Sequence, residues 1–365
     1  MNMAGFEVEG IKRYGEFEQF TYLTDDSKSV LTNVEIDRRA RAVAAGLMNL
    51  RVRKGDIVGV MVSNILEIPE LMNGTMRMGA VFLPIIFMLT PQEVRYILED
   101  ARPRILITEE KLWPKMKEAL EGNTTVRKIV VIGGEVKDEK PGQVLSYEAF
   151  KKQGIDPGEV EDLAADDLAI LMYTSGSTGF PKGVMLSHGN LVENMLQGAA
   201  VWPSGPGDCF LGVVPMNHIY GVLGFHESCY FGSRLVLVPW FDPQKVLEII
   251  TDYRITVAGM VPTMIAMMMP LFNPERHSLK SMKYLVSAGA PLPEELLIQA
   301  QDLFGIKIFH GYGCTEAGPT IARQRPDGKF KIGSVGPPVL GLEVKCINQE
   351  GKEVRLFRRI CGYYL

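Results

Sequence analysis

The chain has 365 residues, a net charge of −4 and five cysteines. This length is enough for two or three structural units around a large buried core. The mild charge and the lack of a basic stripe argue against a protein that reads nucleic-acid backbones, so no nucleic-acid partner is expected. The scattered cysteines include no Cys-x-x-Cys pair, which argues against a disulfide framework or zinc knuckle and fits a reducing compartment.

The N-terminal and the most apolar segments indicate the location of the protein. Residues 1–15 mix Glu, Lys and Arg and lack the apolar stretch of a signal peptide. The most apolar window, residues 257–272, contains Pro262 and Pro270 and is too short to span a bilayer. We therefore expect a cytoplasmic protein without a transmembrane segment.

The first half of the chain alternates helical and strand-like segments. Residues 32–50 predict an amphipathic helix, with Thr32 as its N-cap and Glu35 completing a capping box. Pro91 suits the first turn of a later helix. Strands are predicted at 57–62, 80–85, 105–107 and 129–132, and helices at 66–78, 91–100 and 109–120. This alternation predicts a parallel α/β sheet.

A charged linker at 133–167 separates this series from a second one, which is expected to begin at Leu168. The second series predicts strands at 210–214, 234–238, 257–260 and 284–287, and helices near 190–201, 243–253, 262–271 and 293–304. The predicted fold is therefore α/β, with two doubly wound, mostly parallel sheets and helices sandwiched between them. After Gly311 short β-type runs such as 342–347 predict a small antiparallel or barrel-like end. The predicted units are 1–165, 166–310 and 311–365.

One polar stretch follows the apolar run 168–173: Thr174-Ser175-Gly176-Ser177-Thr178-Gly179-Phe180-Pro181-Lys182-Gly183. Glycines let a ligand approach the backbone, hydroxyls and freed N–H groups are donors, and the lysine adds a positive charge. This composition predicts a phosphate cradle, with a flexible surface turn as the alternative. The common nucleotide loop has four residues between its glycines and a Lys directly after the second, whereas Gly176 and Gly179 are separated by two residues.

The segment after the cradle also differs from a common nucleotide loop. Residues 184–186 are apolar and predict a strand rather than a helix. The next helix is expected to begin later, capped by Ser187 or Asn190.

Three further segments follow predicted strands and carry candidate binding groups. Small side chains in residues 287–292 leave room for a flat ring at the strand end where open α/β sheets bind ligands, although a plain strand–helix turn has the same composition. In residues 310–319 Tyr312 could stack on a base, Thr315 suits a phosphate and Glu316 suits Mg²⁺; a packing tyrosine and a solvated acid are the alternatives. In residues 215–221 His218 offers an imidazole, although a lone histidine is more often a core residue.

Together these segments resemble one family. Residues 173–184, 311–316, 287–292 and 215–221, with Lys54-Gly55-Asp56 and the strand entry at 79–81, are similar to the motifs of the adenylate-forming (AMP-binding) superfamily. The chain resembles the N-terminal large domain of that superfamily, most closely its acyl-CoA synthetase and coumarate-CoA ligase branch. The resemblance covers about residues 30–345.

This resemblance implies that a carboxylic acid reacts with ATP and Mg²⁺ to give an acyl-adenylate and pyrophosphate, and that the acyl group then passes to coenzyme A. Thr315 would contact the α-phosphate, Glu316 would bind Mg²⁺ and His218 would lie near the reacting carboxylate. These three residues and Lys182 form the implied catalytic set. The resemblance assigns the β- and γ-phosphates to Thr174, Ser175, Gly176, Ser177, Thr178, Gly179 and Lys182. It assigns the rest of the nucleotide to Gly289, Ala290, Pro291, Gly311, Tyr312, Gly313 and Thr315.

The same resemblance places an acid pocket at His218, Tyr220, Val261, Gly311 and Pro319. These residues are largely apolar, which suits a fatty or aromatic acid, and Tyr220 could either bond a phenolic ring or only pack. Amino-acid-activating relatives carry an Asp near positions 217–218. Residues 213–225 contain no acid, which argues against a free amino acid as substrate. Asn217 departs from the aromatic residue that is usual before the histidine.

The end of the chain departs from the family. Members continue into an Asp-containing ribose motif, a hinge and a small mobile domain with the adenylation lysine, and we expect that C-terminal domain to be absent here. Residues 354–360 do not resemble the continuation, and Gly362-Tyr363-Tyr364 looks like a fragment of it. A truncation, an internal deletion or a frame disruption is our hypothesis. The alternatives to a complete CoA ligase are a catalytically impaired nucleotide-binding fragment and an adenylating enzyme that loads a carrier protein.

Overall fold

The computed structural model describes residues 2–134, 143–152, 158, 162–174, 180–348 and 350–353. The α-helices in these residues are α1 (Gly5–Tyr14), α2 (Asn33–Asn49), α3 (Ile68–Arg77), α4 (Pro91–Ala101), α5 (Trp113–Ala119), α6 (Tyr147–Lys152), α7 (His188–Val201), α8 (Ile219–Phe231), α9 (Pro243–Asp252), α10 (Pro262–Met268) and α11 (Glu294–Phe304). The strands are β1 (Glu18–Leu23), β2 (Lys28–Thr32), β3 (Ile57–Met61), β4 (Val81–Pro84), β5 (Ile105–Glu109), β6 (Lys128–Ile132), β7 (Val144–Ser146), β8 (Leu168–Thr174), β9 (Lys182–Ser187), β10 (Cys209–Gly212), β11 (Arg234–Leu237), β12 (Val257–Met260), β13 (Tyr284–Ser287), β14 (Ile308–Gly313) and β15 (Thr320–Arg323).

Local sequence signals set several helix boundaries. The Thr32 hydroxyl accepts the Glu35 N–H at 3.1 Å, and the Glu35 carboxylate accepts the Thr32 N–H at 2.8 Å, so the predicted capping box is confirmed. Pro91 lies in the first turn of α4, as predicted. Ser187 is the N-cap of α7 and Asn190 completes the reciprocal bond, so both candidate caps take part. An N-cap of this kind stabilises its helix by about 1 kcal/mol.

The strands form two sheets. The first sheet has the order β7-β6-β5-β3-β4-β8-β9, and the second has the order β15-β14-β13-β12-β10-β11-β1-β2. Neighbouring strands are parallel except in the pairs β8–β9, β1–β2 and β14–β15. The predicted α/β class, with two mostly parallel sheets and flanking helices, is confirmed.

The two sheets do not divide the chain at residue 166, because each sheet contains strands from both sides of that position. β8 pairs with β4 and, together with β9, completes the first sheet, so Leu168 does not begin a second sheet. β1 and β2 join the second sheet instead, where Phe20 lies opposite Leu235. Apolar periodicity predicts that a segment is a strand, but tertiary packing selects its partner. The division of the chain into three units stays a prediction.

A shared hydrophobic core lies between the two sheets. It contains Phe82 and Ile107 from the first sheet, Phe210 and Leu235 from the second, and side chains of the intervening helices such as Phe6. A second core packs α9, α10 and α11 on the outer face of the second sheet, and a third packs α4 and α5 on the outer face of the first. Because side chains alternate across a strand, each sheet contributes to an inner and an outer core. The shared core holds the strand ends of both sheets in a fixed relation.

The barrel-like end expected after Gly311 is not confirmed. β14 and β15 extend the second sheet, and beyond them the described residues form the isolated bridges Ala322–Pro338 and Ile347–Glu353. The run 342–347, predicted as β-type, forms no strand. Residues 354–365, where a departure from the family was predicted, lie outside the described residues.

The longest helix among the described residues is α2, with 17 residues. Neither it nor any other helix in the described parts of the chain is long and apolar enough to cross a membrane.

Candidate active site

The predicted phosphate cradle lies between the two strands of a β-hairpin. β8 and β9 are antiparallel, with Thr174 directly opposite Lys182. The strand predicted at 184–186 is confirmed within β9, and the helix begins only at His188. The cradle is therefore followed by a second strand and not directly by a helix, unlike the common nucleotide loop. The predicted phosphate contacts of Ser175, Gly176, Ser177, Thr178 and Gly179 lie outside the described residues.

Helix α4 contacts the chain just before the cradle and again near its far end. Before the cradle, the Tyr173 hydroxyl donates to Asp100 Oδ2. Within the second half of the cradle, the Phe180 ring stacks on the Tyr96 ring, with centroids 4.9 Å apart and planes 19° from parallel. Tyr96 and Asp100 are four residues apart and lie on the same side of the helix. One helix thus holds both ends of the cradle.

The segment 310–319 crosses from β14 into a short turn that faces the hairpin. β14 ends at Gly313, and Thr315–Ala317 form a single 3₁₀ turn. Thr174 Oγ1 donates to Glu316 Oε1 at 3.3 Å. A predicted phosphate-binding residue of the first sheet therefore contacts the predicted metal ligand, which follows a strand of the second.

Asn194 of α7 holds this turn in place. Its Nδ2 donates to the carbonyl oxygens of Ala317 at 3.3 Å and Thr320 at 2.8 Å, and its Oδ1 accepts the Thr320 N–H at 2.9 Å. The amide is buried, so these bonds also satisfy its polar atoms. Sequence analysis missed Asn194 because its contacts are made by tertiary packing and not by a local motif.

The segment 287–292 follows β13, which is next to β14 in the second sheet. Ser287 is paired in register with His310, and the Ala290 backbone hydrogen-bonds to the His310 side chain. Gly289 has a φ of +82°, in the left-handed region that glycine adopts without strain. The segment therefore turns at Gly289, beside the strand that carries Tyr312.

His218 is the N-cap residue of α8. Its Nδ1 accepts the Tyr220 N–H at 3.2 Å. The His218 side chain is exposed at the cavity surface, but the protein around it removes part of its hydration, which lowers its pKa below the usual value and keeps the ring neutral at pH 7. A neutral imidazole that accepts at Nδ1 carries its proton on Nε2. His218 therefore has an N–H donor to offer at Nε2.

Asn217 connects the segment before α8 to the first sheet by hydrogen bonds. Its Nδ2 donates to the carbonyl oxygens of Val62 and Ile85, at 3.3 Å each, just beyond β3 and β4. The neighbouring Met216 N–H donates to Asn64 Oδ1 at 2.8 Å. The two N–H groups of one amide therefore connect the His218 segment to the ends of two strands of the first sheet.

One cavity of about 360 Å³ joins these segments, within the usual range for small-molecule sites. The predicted nucleotide-binding residues that line it are Thr174, Gly289, Gly311, Tyr312, Gly313 and Thr315. Glu316, the predicted metal ligand, lines the same cavity, as do the predicted acid-pocket residues His218, Tyr220 and Pro319. The cavity therefore brings the predicted nucleotide, metal and acid sites together.

Four predicted residues in the described part of the chain do not line this cavity: Lys182, Ala290, Pro291 and Val261. Lys182 is exposed on the hairpin. Ala290 and Pro291 follow Gly289 in its turn. Val261 lies behind that turn, with its Cγ1 3.4 Å from the position that a Cβ at Gly289 would take.

Sequence analysis missed two large side chains in the cavity wall, Trp202 and Arg323. Arg323 lies opposite Gly311 in the β14–β15 pairing. Its guanidinium carbon lies 4.5 Å from the Trp202 ring centroid, and its Nη2 lies 3.4 Å from Glu227 Oε1. Arg323 is brought beside the predicted pocket residue Gly311 by the antiparallel pairing of β14 with β15, which the sequence alone does not show.

The sequence model of the family described as AMP-binding enzyme matches residues 10–358. The chain therefore belongs to the AMP-binding enzyme family, and the resemblance inferred from its motifs is confirmed.

The curated relatives are acid-CoA ligases. A probable 4-coumarate–CoA ligase of Dictyostelium discoideum is 31% identical, over 85% of this chain and 59% of the relative. A 4-coumarate-CoA ligase of Narcissus pseudonarcissus is 31% identical, over 89% of this chain and 60% of the relative. A long-chain-fatty-acid–CoA ligase of Thermus thermophilus is 31% identical, over 89% of this chain and 59% of the relative. The chain thus spans about three fifths of the length of these relatives.

Solved structures of CoA ligases share the fold. An anthranilate CoA ligase in complex with anthranoyl-AMP superposes with a TM-score of 0.90 at 27% identity, covering 97% of this chain and 68% of that chain. A long-chain-fatty-acid-CoA ligase from Archaeoglobus fulgidus superposes with a TM-score of 0.89 at 24% identity, covering 98% of this chain and 73% of that chain. At 24% identity, the likeness to the Archaeoglobus fulgidus structure shows a shared fold and no more.

Proposed function

We propose that this chain binds ATP and a carboxylic acid in the 360 Å³ cavity and forms an acyl-adenylate, as the adenylating part of an acid-CoA ligase. The observation that carries this proposal is the convergence of Thr174, His218, Gly289 and Glu316 on one cavity, although they come from four separate segments. The ligase relatives support the same reaction class.

In the proposed reaction, a carboxylate oxygen of the acid attacks the α-phosphorus of ATP. The bond between that phosphorus and the oxygen bridging to the β-phosphate breaks, and pyrophosphate leaves. In the second half-reaction the thiolate sulfur of coenzyme A attacks the acyl carbon, and AMP leaves. The reacting carboxylate and triphosphate are both negative, so preorganised donors must offset their repulsion and hold them in line.

The cavity offers suitable donors at each end. Thr174 and Thr315 both line the cavity, and Lys182 is paired with Thr174 just outside it. In this proposal Thr174 and Lys182 hold the β- and γ-phosphates and Thr315 contacts the α-phosphate. The Nε2–H of neutral His218 can hydrogen-bond the acid carboxylate without adding a charge. Gly289 and Tyr312 add a small residue and a flat ring to the cavity wall, and we place adenine between them in this proposal.

Magnesium fits the donor set of this cavity. Mg²⁺ is usually held by one or two carboxylates together with phosphate oxygens, and Glu316 supplies a carboxylate in the wall beside Thr174. When bound, Mg²⁺ would neutralise charge on the phosphates and on the leaving pyrophosphate. Glu316 would hold the ion, and the Thr174 hydroxyl keeps that carboxylate oriented.

The experiment combines nucleotide binding with acid-dependent exchange of pyrophosphate into ATP. We expect the chain to bind MgATP in titration calorimetry and Lys182→Ala to weaken this binding about tenfold or more. Lys280→Ala removes an exposed lysine elsewhere and serves as the matched control. A folded chain that binds no nucleotide contradicts the proposal. Binding without exchange would restrict the proposal for this chain to the nucleotide-binding step.

The acyl acceptor is tested separately. Radiolabelled acid and MgATP are supplied with either coenzyme A or a phosphopantetheinyl carrier protein, and the thioester products are counted. The proposal expects the thioester on coenzyme A, and transfer to the carrier alone would contradict the CoA-ligase assignment.

A further inference from the structure

A second, smaller chamber lies behind the main cavity. The main cavity has a volume of about 360 Å³ and the chamber about 60 Å³. Four residues line both of them and so form the wall between them: Trp202, Tyr220, Val286 and Arg323. An acid that extends away from His218 would meet this wall.

Several contacts position Arg323 within the wall. Both terminal nitrogens lie 3.4 Å from Glu227 Oε1, and Nη2 donates to Thr320 Oγ1 at 3.2 Å. The guanidinium also lies over the Trp202 ring. Gly198 of α7 makes room for it, because a Cβ there would come within 3.0 Å of Nη1. The bonds to Glu227 are long, so the guanidinium retains hydrogen-bonding capacity for another acceptor.

The Tyr220 hydroxyl lies in the same wall and is buried. It has no hydrogen-bond partner among the residues that the structure describes. Leaving a buried hydroxyl unpaired costs free energy, and a ligand oxygen that reached this hydroxyl would recover that cost. Burial also raises the pKa of Tyr220, so the phenol stays protonated and can donate.

The remaining surface of the small chamber is mostly apolar, with side chains such as Phe210, Val214, Phe225 and Leu235. A long alkyl chain would suit that surface, but it could reach it only by displacing the Arg323–Glu227 pair. Displacement would place methylene groups against a buried ion pair and remove its hydrogen bonds, which is unfavourable. In the proposed function the nucleotide would occupy part of the main cavity, which would further limit the length left for the acid.

We propose that the Arg323–Glu227 pair forms a polar end wall of the acid pocket and selects a short acid, of about single-ring size, whose far end carries a neutral oxygen that accepts hydrogen bonds. This proposal rests on the proposed function and decides between the fatty and aromatic classes that the pocket residues alone leave open. Glu227 already balances the charge of Arg323. A neutral hydroxyl, carbonyl or ether oxygen is therefore favoured over a second carboxylate, which Glu227 would repel.

The test uses N-acylsulfamoyl adenosines, stable mimics of an acyl-adenylate whose binding needs no catalysis. The acyl groups are para-hydroxyphenylpropionyl, phenylpropionyl, para-carboxyphenylpropionyl and dodecanoyl, and sulfamoyl adenosine without an acyl group probes the nucleotide half alone. We expect the hydroxylated ring to bind about tenfold or more tightly than the dodecanoyl and carboxylated mimics. The plain phenylpropionyl mimic should lie between them.

The variants identify the residues responsible. The double variant Arg323→Met, Glu227→Met removes both charges, because removing one would leave the other buried and unpaired. It should bind the dodecanoyl mimic about tenfold more tightly than the wild type and lose most of the preference for the hydroxylated ring. Arg325→Met removes an exposed arginine two positions away and should leave the order unchanged.

The outcomes separate the two proposals. If sulfamoyl adenosine itself does not bind, the proposed function fails. If it binds and the wild type favours the dodecanoyl or carboxylated mimic, the end-wall proposal is overturned while the proposed function stands. The wild-type series decides the end-wall proposal even if the double variant does not fold.

Discussion

Thr174 and Glu316 are 142 positions apart in the sequence and are joined by a hydrogen bond of 3.3 Å. Thr174 ends β8 of the first sheet, and Glu316 lies just beyond β14 of the second. The bond therefore links the two sheets at the cavity that both of them line. It also places the proposed metal ligand beside the hairpin that we propose holds the phosphates.

Replacement of Glu316 tests its role in metal binding. Glu316→Gln keeps an oxygen that can accept from Thr174 but removes the charge that attracts Mg²⁺. We expect MgATP affinity to fall about tenfold or more, with metal-free AMP affinity changing less than about twofold. Titration calorimetry with and without Mg²⁺ measures both. Glu193→Gln, an exposed acid on α7, is the matched control, and an equal loss of AMP affinity in Glu316→Gln would contradict the metal role.

The stack between Tyr96 and Phe180 should position the cradle for the outer phosphates of ATP. Tyr96→Ala removes a stacked pair worth about 0.5–1.5 kcal/mol, so ATP affinity should fall roughly two- to tenfold. AMP lacks the β- and γ-phosphates, so its affinity should stay the same. Tyr96→Phe keeps the ring and should bind ATP like the wild type. A parallel loss of AMP affinity in Tyr96→Ala would show a wider structural effect and contradict the prediction.

Two glycines near the cavity differ in the space around them. A Cβ at Gly313 would lie 2.2 Å from the Pro319 carbonyl oxygen, whereas a Cβ at Gly311 has no neighbour nearer than 3.7 Å among the described atoms. We expect Gly313→Ala to lower the free energy of unfolding by about 1–3 kcal/mol, because a backbone atom must move. Gly311→Ala should be nearly neutral for stability. Urea unfolding of the two variants compares them directly, and equal stabilities would refute the predicted clash.

Four buried groups predict how stability varies with pH. Burial lowers the pKa of His188, His226 and His310 from 6.5 to about 4, and it raises the pKa of Glu7 from 4.5 to about 8. Below about pH 6.5 the unfolded chain binds protons at three histidines that are neutral when folded, so stability falls as the pH drops toward 4. Glu7 acts oppositely: it is protonated when folded and ionised when unfolded, so its contribution falls as the pH rises toward 8.

The net effect of these groups should be a maximum of stability just below pH 7, where the protons bound by the three unfolded histidines equal the one proton held by folded Glu7. Between about pH 5 and 6 the unfolded chain binds three protons more at the histidines and one fewer at Glu7, and stability should rise by roughly 2–3 kcal/mol per pH unit. Above the maximum, stability should decline until Glu7 ionises in the folded protein. Urea unfolding at intervals across this range measures the profile. Glu7→Gln mimics the protonated side chain and should abolish the alkaline decline; a decline that persists in this variant would exclude Glu7 as its source.

The features that were predicted correctly from the sequence are those that local patterns determine. The capping box of Thr32 and Glu35 and the strand after the cradle are fixed by residues within one turn or one strand, and both are confirmed. The pairing of Phe20 with Leu235 and of Gly311 with Arg323 depends on strand register over longer separations. Neither follows from periodicity, because several apolar segments could pair with equal local preference. For that reason the wall formed by Arg323 was missed, although its neighbour Gly311 was predicted.

The most direct test of the account is a crystal structure of this chain with bound MgATP. The account predicts adenine between Gly289 and Tyr312, the triphosphate along the hairpin that begins at Thr174, and a metal ion on Glu316. A nucleotide bound outside this cavity, with Thr174 and Glu316 still joined to each other and touching no phosphate or metal, would contradict it.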